Sequence, residues 1–494
     1  MTLAPGEALA HGFGQRYDLP VPLWLWAAAA AAAVALSFVI IGLFVKASPG
    51  VRGYWRLNLL RFPPGRVLAD RRVRLVARLF SVGLLVLVLG ASITGNQSPT
   101  RNIAPTFIWV AWWVGFAYLS ALVGNLWAVV NPWAAIFGWT ETLLGSRRAT
   151  RRYPAWLGVW PAVALFLAFA WLELIYTGRS IPAQLGHVII GYSVLTWTAM
   201  ALFGRATWLR QGDPFATAFG VLARFAPTEI RVTNREACRR CELPCAGPDG
   251  TCLDCGVCFD RAAPARREWN ARPFAAGLTN TGDVSPSMVV FVLLLLSTVT
   301  FDGFTATPAW AGLEGALYAA LAPLGEARLT VIGTLGLVAF PLLFVLVYVA
   351  FARWMAWMGD DQLTTGTVAR LFVLSLVPIA IAYHLAHYFT YLLIQGQLLI
   401  RLASDPFGFG WNLLGTARYR PDIGIVGARS VWYTAVVAIV LGHVIAVYVA
   451  HVVALREFRD RHAALRSQLP MLVLMVSYTI VSLWIIAQPI VESR

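Results

Sequence analysis

Residues 368–394 read VARLFVLSLVPIAIAYHLAHYFTYLLI. About 20 apolar residues in a helix suffice to cross the hydrocarbon of a bilayer, and this run exceeds that length. Within AYHLAHYFTYLL (382–393) stand two histidines, His384 and His387, three residues apart and so on one helical face. Ionisable side chains at membrane depth are costly and mark a functional site by default. The stretch therefore bears both on the fold and on where the chemistry lies.

Comparable runs recur along the whole chain. Hydrophobic residues make up 59% of the 494 positions and charged residues 13%, against about a quarter charged in a soluble domain. Ten spans are expected, at about 22–45, 78–94, 106–124, 155–176, 186–204, 285–301, 329–351, 368–394, 431–454 and 469–488. The predicted fold is all-α, a polytopic transmembrane bundle. Residues 1–204 supply five spans, 205–284 a polar loop, and 285–494 five more.

Arginine and lysine set the expected orientation. Segment 46–77 carries eight of them, and 205–284 carries eleven arginines. Arg147, Arg148, Arg151 and Arg152 fill the third connection, and Arg456, Arg459, Arg461 and Arg466 follow span nine. Alternate loops are poor in basic residues, except 395–430 with four. The pattern puts both termini on the periplasmic side of a bacterial cytoplasmic (inner) membrane and the basic loops in the cytoplasm. The net charge of +15 then faces anionic headgroups. Basic loops without interleaved aromatics exclude a nucleic-acid partner. The first 20 residues lack a charged segment followed by an apolar core, so span one is expected to act as an uncleaved insertion signal.

All six cysteines lie in CRRCELPCAGPDGTCLDCGVC: Cys238, Cys241, Cys245, Cys252, Cys255 and Cys258. Two-residue gaps let neighbouring thiolates reach one ion, and the turn Ala246 to Gly250 brings the halves together. In a cytoplasmic loop disulfides are disfavoured. A structural zinc site of four thiolates is the first expectation. An iron–sulfur cluster is the second, though the fourth cysteine and proline of a ferredoxin run are missing.

Depth counting places six polar residues toward the outer part of the membrane: His384 and His387 on span eight, His443 near the middle of span nine, His187 opening span five, Glu173 near the end of span four, and Asp302 closing span six. Imidazole and carboxylate suit a divalent metal such as zinc. Such a site lowers the pKa of bound water to about 7. His384, His387, His443, His187 and Asp302 are the candidate ligands. Asp302, His384, His387 and Glu173 are the candidate catalytic groups. The same residues are open to a haem pair, to ion conduction or to plain polar packing.

Several segments carry a family resemblance: AHGFGQRYDLPVPLW (10–24), NLLRF (58–62), WWVGFAYLSALVGNLWAVVNPW (112–133), FDGFTATPAW (301–310), AYHLAHYFTYLLIQGQ (382–397) and SDPFGFGWNLLGT (404–416). They resemble the bacterial membrane proteins named as fenitrothion hydrolases. The resemblance implies hydrolysis of the P–O–aryl bond of an organophosphorus triester, with release of a phenol. It assigns no catalytic residue. Neutral aromatic triesters concentrate in a bilayer, which suits a site at membrane depth. The competing expectations are a membrane electron-transfer protein with iron–sulfur and haem centres, and a transporter for a metal or small solute.

Overall fold

A short polar residue followed by proline opens four of the helices. Asn131, Asp213, Ser285 and Thr307 each accept the backbone N–H three residues on, and Pro132, Pro214, Pro286 and Pro308 take the first helical position. Proline's fixed φ and missing N–H suit that position, and the cap satisfies a donor that the helix leaves unpaired. The computed structural model describes residues 21–46, 53–145, 149–233, 236, 250–282 and 284–488.

Helices of ten or more residues run in the order α1 Leu23–Phe44, α2 Arg71–Thr94, α3 Ile103–Leu122, α4 Pro132–Leu144, α5 Trp160–Leu174, α6 Pro182–Phe203, α7 Pro214–Ala223, α8 Pro286–Thr305, α9 Pro308–Ala320, α10 Arg328–Met358, α11 Thr365–Gln395, α12 Ala428–Glu457 and α13 Leu469–Ile486. Among the described residues nine helical segments are long and apolar enough to cross a membrane. Large apolar side chains such as Leu36, Phe44, Phe80 and Leu346 are exposed on them, as lipid contact requires. The chain is thus a polytopic helical protein.

Two expectations change. The span expected at 155–176 is α5, only 15 residues long, or roughly 22 Å at 1.5 Å per residue. That falls short of the hydrocarbon thickness of about 30 Å. The segment 205–284, expected as a polar loop, sends α7 back into the bundle, where it packs on α3 and α5. The chain is also not wholly helical. Strands β1 Leu57–Asn58, β2 Thr228–Val232, β3 Cys252–Leu253 and β4 Arg267–Ala271 form an antiparallel sheet in the order β1-β4-β2-β3. The basic segment after α1 therefore lends a strand to the cysteine-bearing segment.

A buried ion network fixes that sheet. Arg272, 2% exposed, donates to Glu229 Oε2 at 2.9 Å. Arg56 Nε reaches Oε1 at 2.6 Å and the Tyr54 hydroxyl reaches Oε2 at 2.7 Å. Burial pushes the Glu229 carboxyl up, but Arg272, Arg56 and Tyr54 outweigh it and hold it below its ordinary value.

Helix α8 is the most buried of the long helices and touches α5, α10 and α11. Helices α11 and α12 form the most extensive pair. Gly442 permits their approach, since a Cβ there would stand 2.5 Å from Ala382 Cβ and 2.8 Å from the Pro378 carbonyl. Pro378 has no N–H and its ring crowds the carbonyl one turn back. The preceding turn, Val373–Leu376, accordingly tightens to a 3-10 helix.

Candidate functional site

Asp302 sits in the last turn of α8 and faces α11. Its Oδ2 accepts the Tyr388 hydroxyl at 2.6 Å and lies 2.9 Å from His387 Nε2. Both Asp302 and Tyr388 are buried, and His387 is partly so. A carboxylate in that setting is held by the donors around it. The Tyr388 ring packs between two imidazoles, 4.7 Å from His384 and 4.6 Å from His387.

His384 lines a cavity between α3, α5, α7, α8 and α11. Trp113, Tyr118, Phe166, Glu173, His384 and Tyr388 are among its lining residues, with Ala117, Ala170 and Ala380 as small wall positions. His384 lies beside the backbone of Val114. Its Nε2 is buried and has no hydrogen-bond partner. The Tyr118 hydroxyl donates to the His384 main-chain carbonyl at 3.1 Å. The cavity offers about 40 Å³ of room, enough for a few waters.

Val114 belongs to a π-helical stretch, Phe107–Gly115, inside α3. π-Turns are rare and cluster at functional sites, because the wider turn re-aims side chains and carbonyls. Here the stretch sets the Trp113 indole 6.1 Å from the His384 ring. Nothing in FIWVAWWVG announces a π-helix; only its density of bulky aromatics, Trp109, Trp112 and Trp113, hints at unusual packing.

The structure gathers Asp302, His384, His387 and Glu173 around Tyr388, and leaves His443 and His187 apart. His443 Nδ1 is turned back to its own helix, 2.8 Å from the Ile439 carbonyl, and its ring neighbours Tyr478 at 6.0 Å. His187 is exposed on α6. The expected metal-ligand set of His384, His387, His443, His187 and Asp302 is therefore not assembled. Among the described residues no three imidazole or carboxylate ligand atoms come within 4.8 Å of one another. Depth along a span can be counted from sequence, but the face cannot, and each residue turns a helix by about 100°.

The cysteine expectation fares differently. Cys252, Cys255 and Cys258 are buried, and their sulfurs lie within 4.8 Å of one another. They cluster with Val232, Phe259 and Ala262 at the edge of the sheet. The Cys252 side chain, with help from Cys258, holds the Cys255 thiol down at about 4. This group could hold a metal ion. Cys238, Cys241 and Cys245 lie outside the described residues. Compared with known proteins, the chain matches no family model, no curated protein and no solved structure.

Proposed function

We propose that the chain is a hydrolase of the bacterial cytoplasmic membrane acting on lipophilic organophosphorus triesters, with His384 as the general base. The observation that carries this reading is the buried, partnerless Nε2 of His384 at an apolar cavity that Glu173 also lines. An apolar pocket with few convergent polar groups is the common form of a small-molecule site. In the tautomer protonated on the other ring nitrogen, Nε2 carries the lone pair and is the acceptor.

The chemistry follows from that lone pair. Nε2 takes a proton from a cavity water. The water oxygen bonds to phosphorus as the P–O–aryl bond breaks, and its electron pair leaves on the aryloxide. A nitrophenoxide leaves without a strong acid beside it. Glu173 shares the cavity and is placed to orient the water. The Asp302–His387–Tyr388 cluster holds α8 against α11 and fixes the ring beside His384. The triester class comes from the family resemblance. A triester is larger than the room of about 40 Å³, so the cavity must widen to admit it.

The imidazole and carboxylate groups do not fit a metal as they stand, because Asp302 Oδ2 is already shared by His387 and Tyr388. The cysteine module is the metal-holding part of the reading, with zinc the best match to clustered thiolates.

Purified protein in detergent, given a nitrophenyl triester in heavy-oxygen water, tests the reaction class. Release of nitrophenol above protein-free micelles, with the label in the phosphorus product, is expected. Label in the phenol, or no release, overturns the proposal.

A further inference from the structure

A second polar layer lies one helical turn beneath the Asp302 cluster, on α8, α11, α12 and α13. The Tyr383 hydroxyl, His443 Nε2 and Ser482 Oγ are all buried there and have no hydrogen-bond partner within the protein. The three residues are 1%, 1% and 0% exposed. They surround Tyr478, whose ring is 6.4 Å from that of Tyr383 and 6.0 Å from that of His443. Ser482 stands one turn after Tyr478, on the same face of α13. The Tyr478 hydroxyl is itself paired with Thr300 Oγ1 at 2.5 Å.

Orphaned polar atoms in a dry interior are rare. Three on three adjacent helices, around one tyrosine, have a common cause. A buried water needs two to four polar partners, and these groups supply them. Hydroxyls and a neutral imidazole neither carry the charge nor the oxygen count that a cation would require. Gly303 admits the Tyr383 hydroxyl to this layer, since a Cβ there would stand 2.6 Å from it. Tyr383 also joins the two layers, its ring stacked at 6.3 Å on that of His387.

We propose that Tyr383, His443 and Ser482, around Tyr478, bind water in the interior of the bundle, one turn beneath the Asp302 cluster. The site stands whether or not the cavity above it hydrolyses esters.

Pulsed X-ray radiolysis in heavy-oxygen water labels side chains next to bound water, and it needs no substrate. Tyr348 is the dry control, since it is 3% exposed and its hydroxyl donates to the Ala369 carbonyl at 2.8 Å. In the folded wild-type protein, Tyr383 and Tyr478 should take up label several-fold above Tyr348. In Tyr383→Phe, which removes one hydroxyl, labelling of Tyr478 should fall toward the control. Labelling of Tyr383 and Tyr478 no higher than Tyr348, or a Tyr478 signal that Tyr383→Phe leaves unchanged, overturns the site.

Discussion

At His384 an unsatisfied nitrogen carries the chemistry. The residue lines the cavity and its Nε2 has no hydrogen-bond partner in the protein, so a neutral ring can offer a lone pair there. One residue of the same helix earlier, Tyr383 makes a different kind of demand. Gly303 leaves room for its hydroxyl, and Gly303→Ala should destabilise the protein by about 1–3 kcal/mol, the usual cost of overpacking. Tyr383→Phe in the same chain should recover part of that loss, because the colliding oxygen is gone. Melting temperatures of the two single variants and the double variant check this, and strict additivity would refute the contact. The i, i+3 histidine pair was legible in the sequence because a charged-capable residue in an apolar run stands out. The contact of Tyr388 with both rings was not, since it depends on side-chain packing rather than on residue type.

Among the elements, the sheet is the clearest case of structure hidden from sequence. Its strands are two to five residues long, too short to show alternation, and β1 comes from a distant basic segment. Glu229 is its keystone. Its carboxyl is held below the ordinary value of 4.5, so the folded state binds the proton less readily than the unfolded state. The stabilisation is present above about pH 4.5 and is lost as pH falls through the lowered value. Thermal melts from pH 6 downward should show the sheet module loosening below pH 4.5, and Glu229→Gln should flatten that acid limb. Glu229→Ala should cost about 3–5 kcal/mol, since it leaves Arg272 buried without its carboxylate. An acid limb unchanged in Glu229→Gln would contradict the role. Helix starts, by contrast, were written openly as a capping residue before proline. Helix α5 misled because composition marks apolarity, while length depends on where Gly158 and the Tyr176 turn end the helix.

Over the whole molecule, fold class is legible in composition, whereas the azimuth of each side chain is not. Apolar runs and low charge identify a polytopic bundle, yet the six polar residues counted to one depth divide among a cavity (His384 and Glu173), the Asp302–His387 pair, a second layer (His443) and an exposed face (His187). The cysteines read more easily because their spacing is local, whereas the membrane residues meet only through the packing of α3, α5, α8 and α11. Metal content should follow the same division. Elemental analysis should find metal in the wild type, loss in Cys252→Ser, and no loss in His387→Ala; metal lost with His387 would restore a metal centre in the membrane. The most direct measurement is the rate of nitrophenol release by purified wild type and His384→Gln, at matched melting temperature and metal content. General-base catalysis is worth about 10²–10⁴-fold, so His384→Gln should fall by that order while the wild type turns over. A variant that keeps the full wild-type rate would contradict the account.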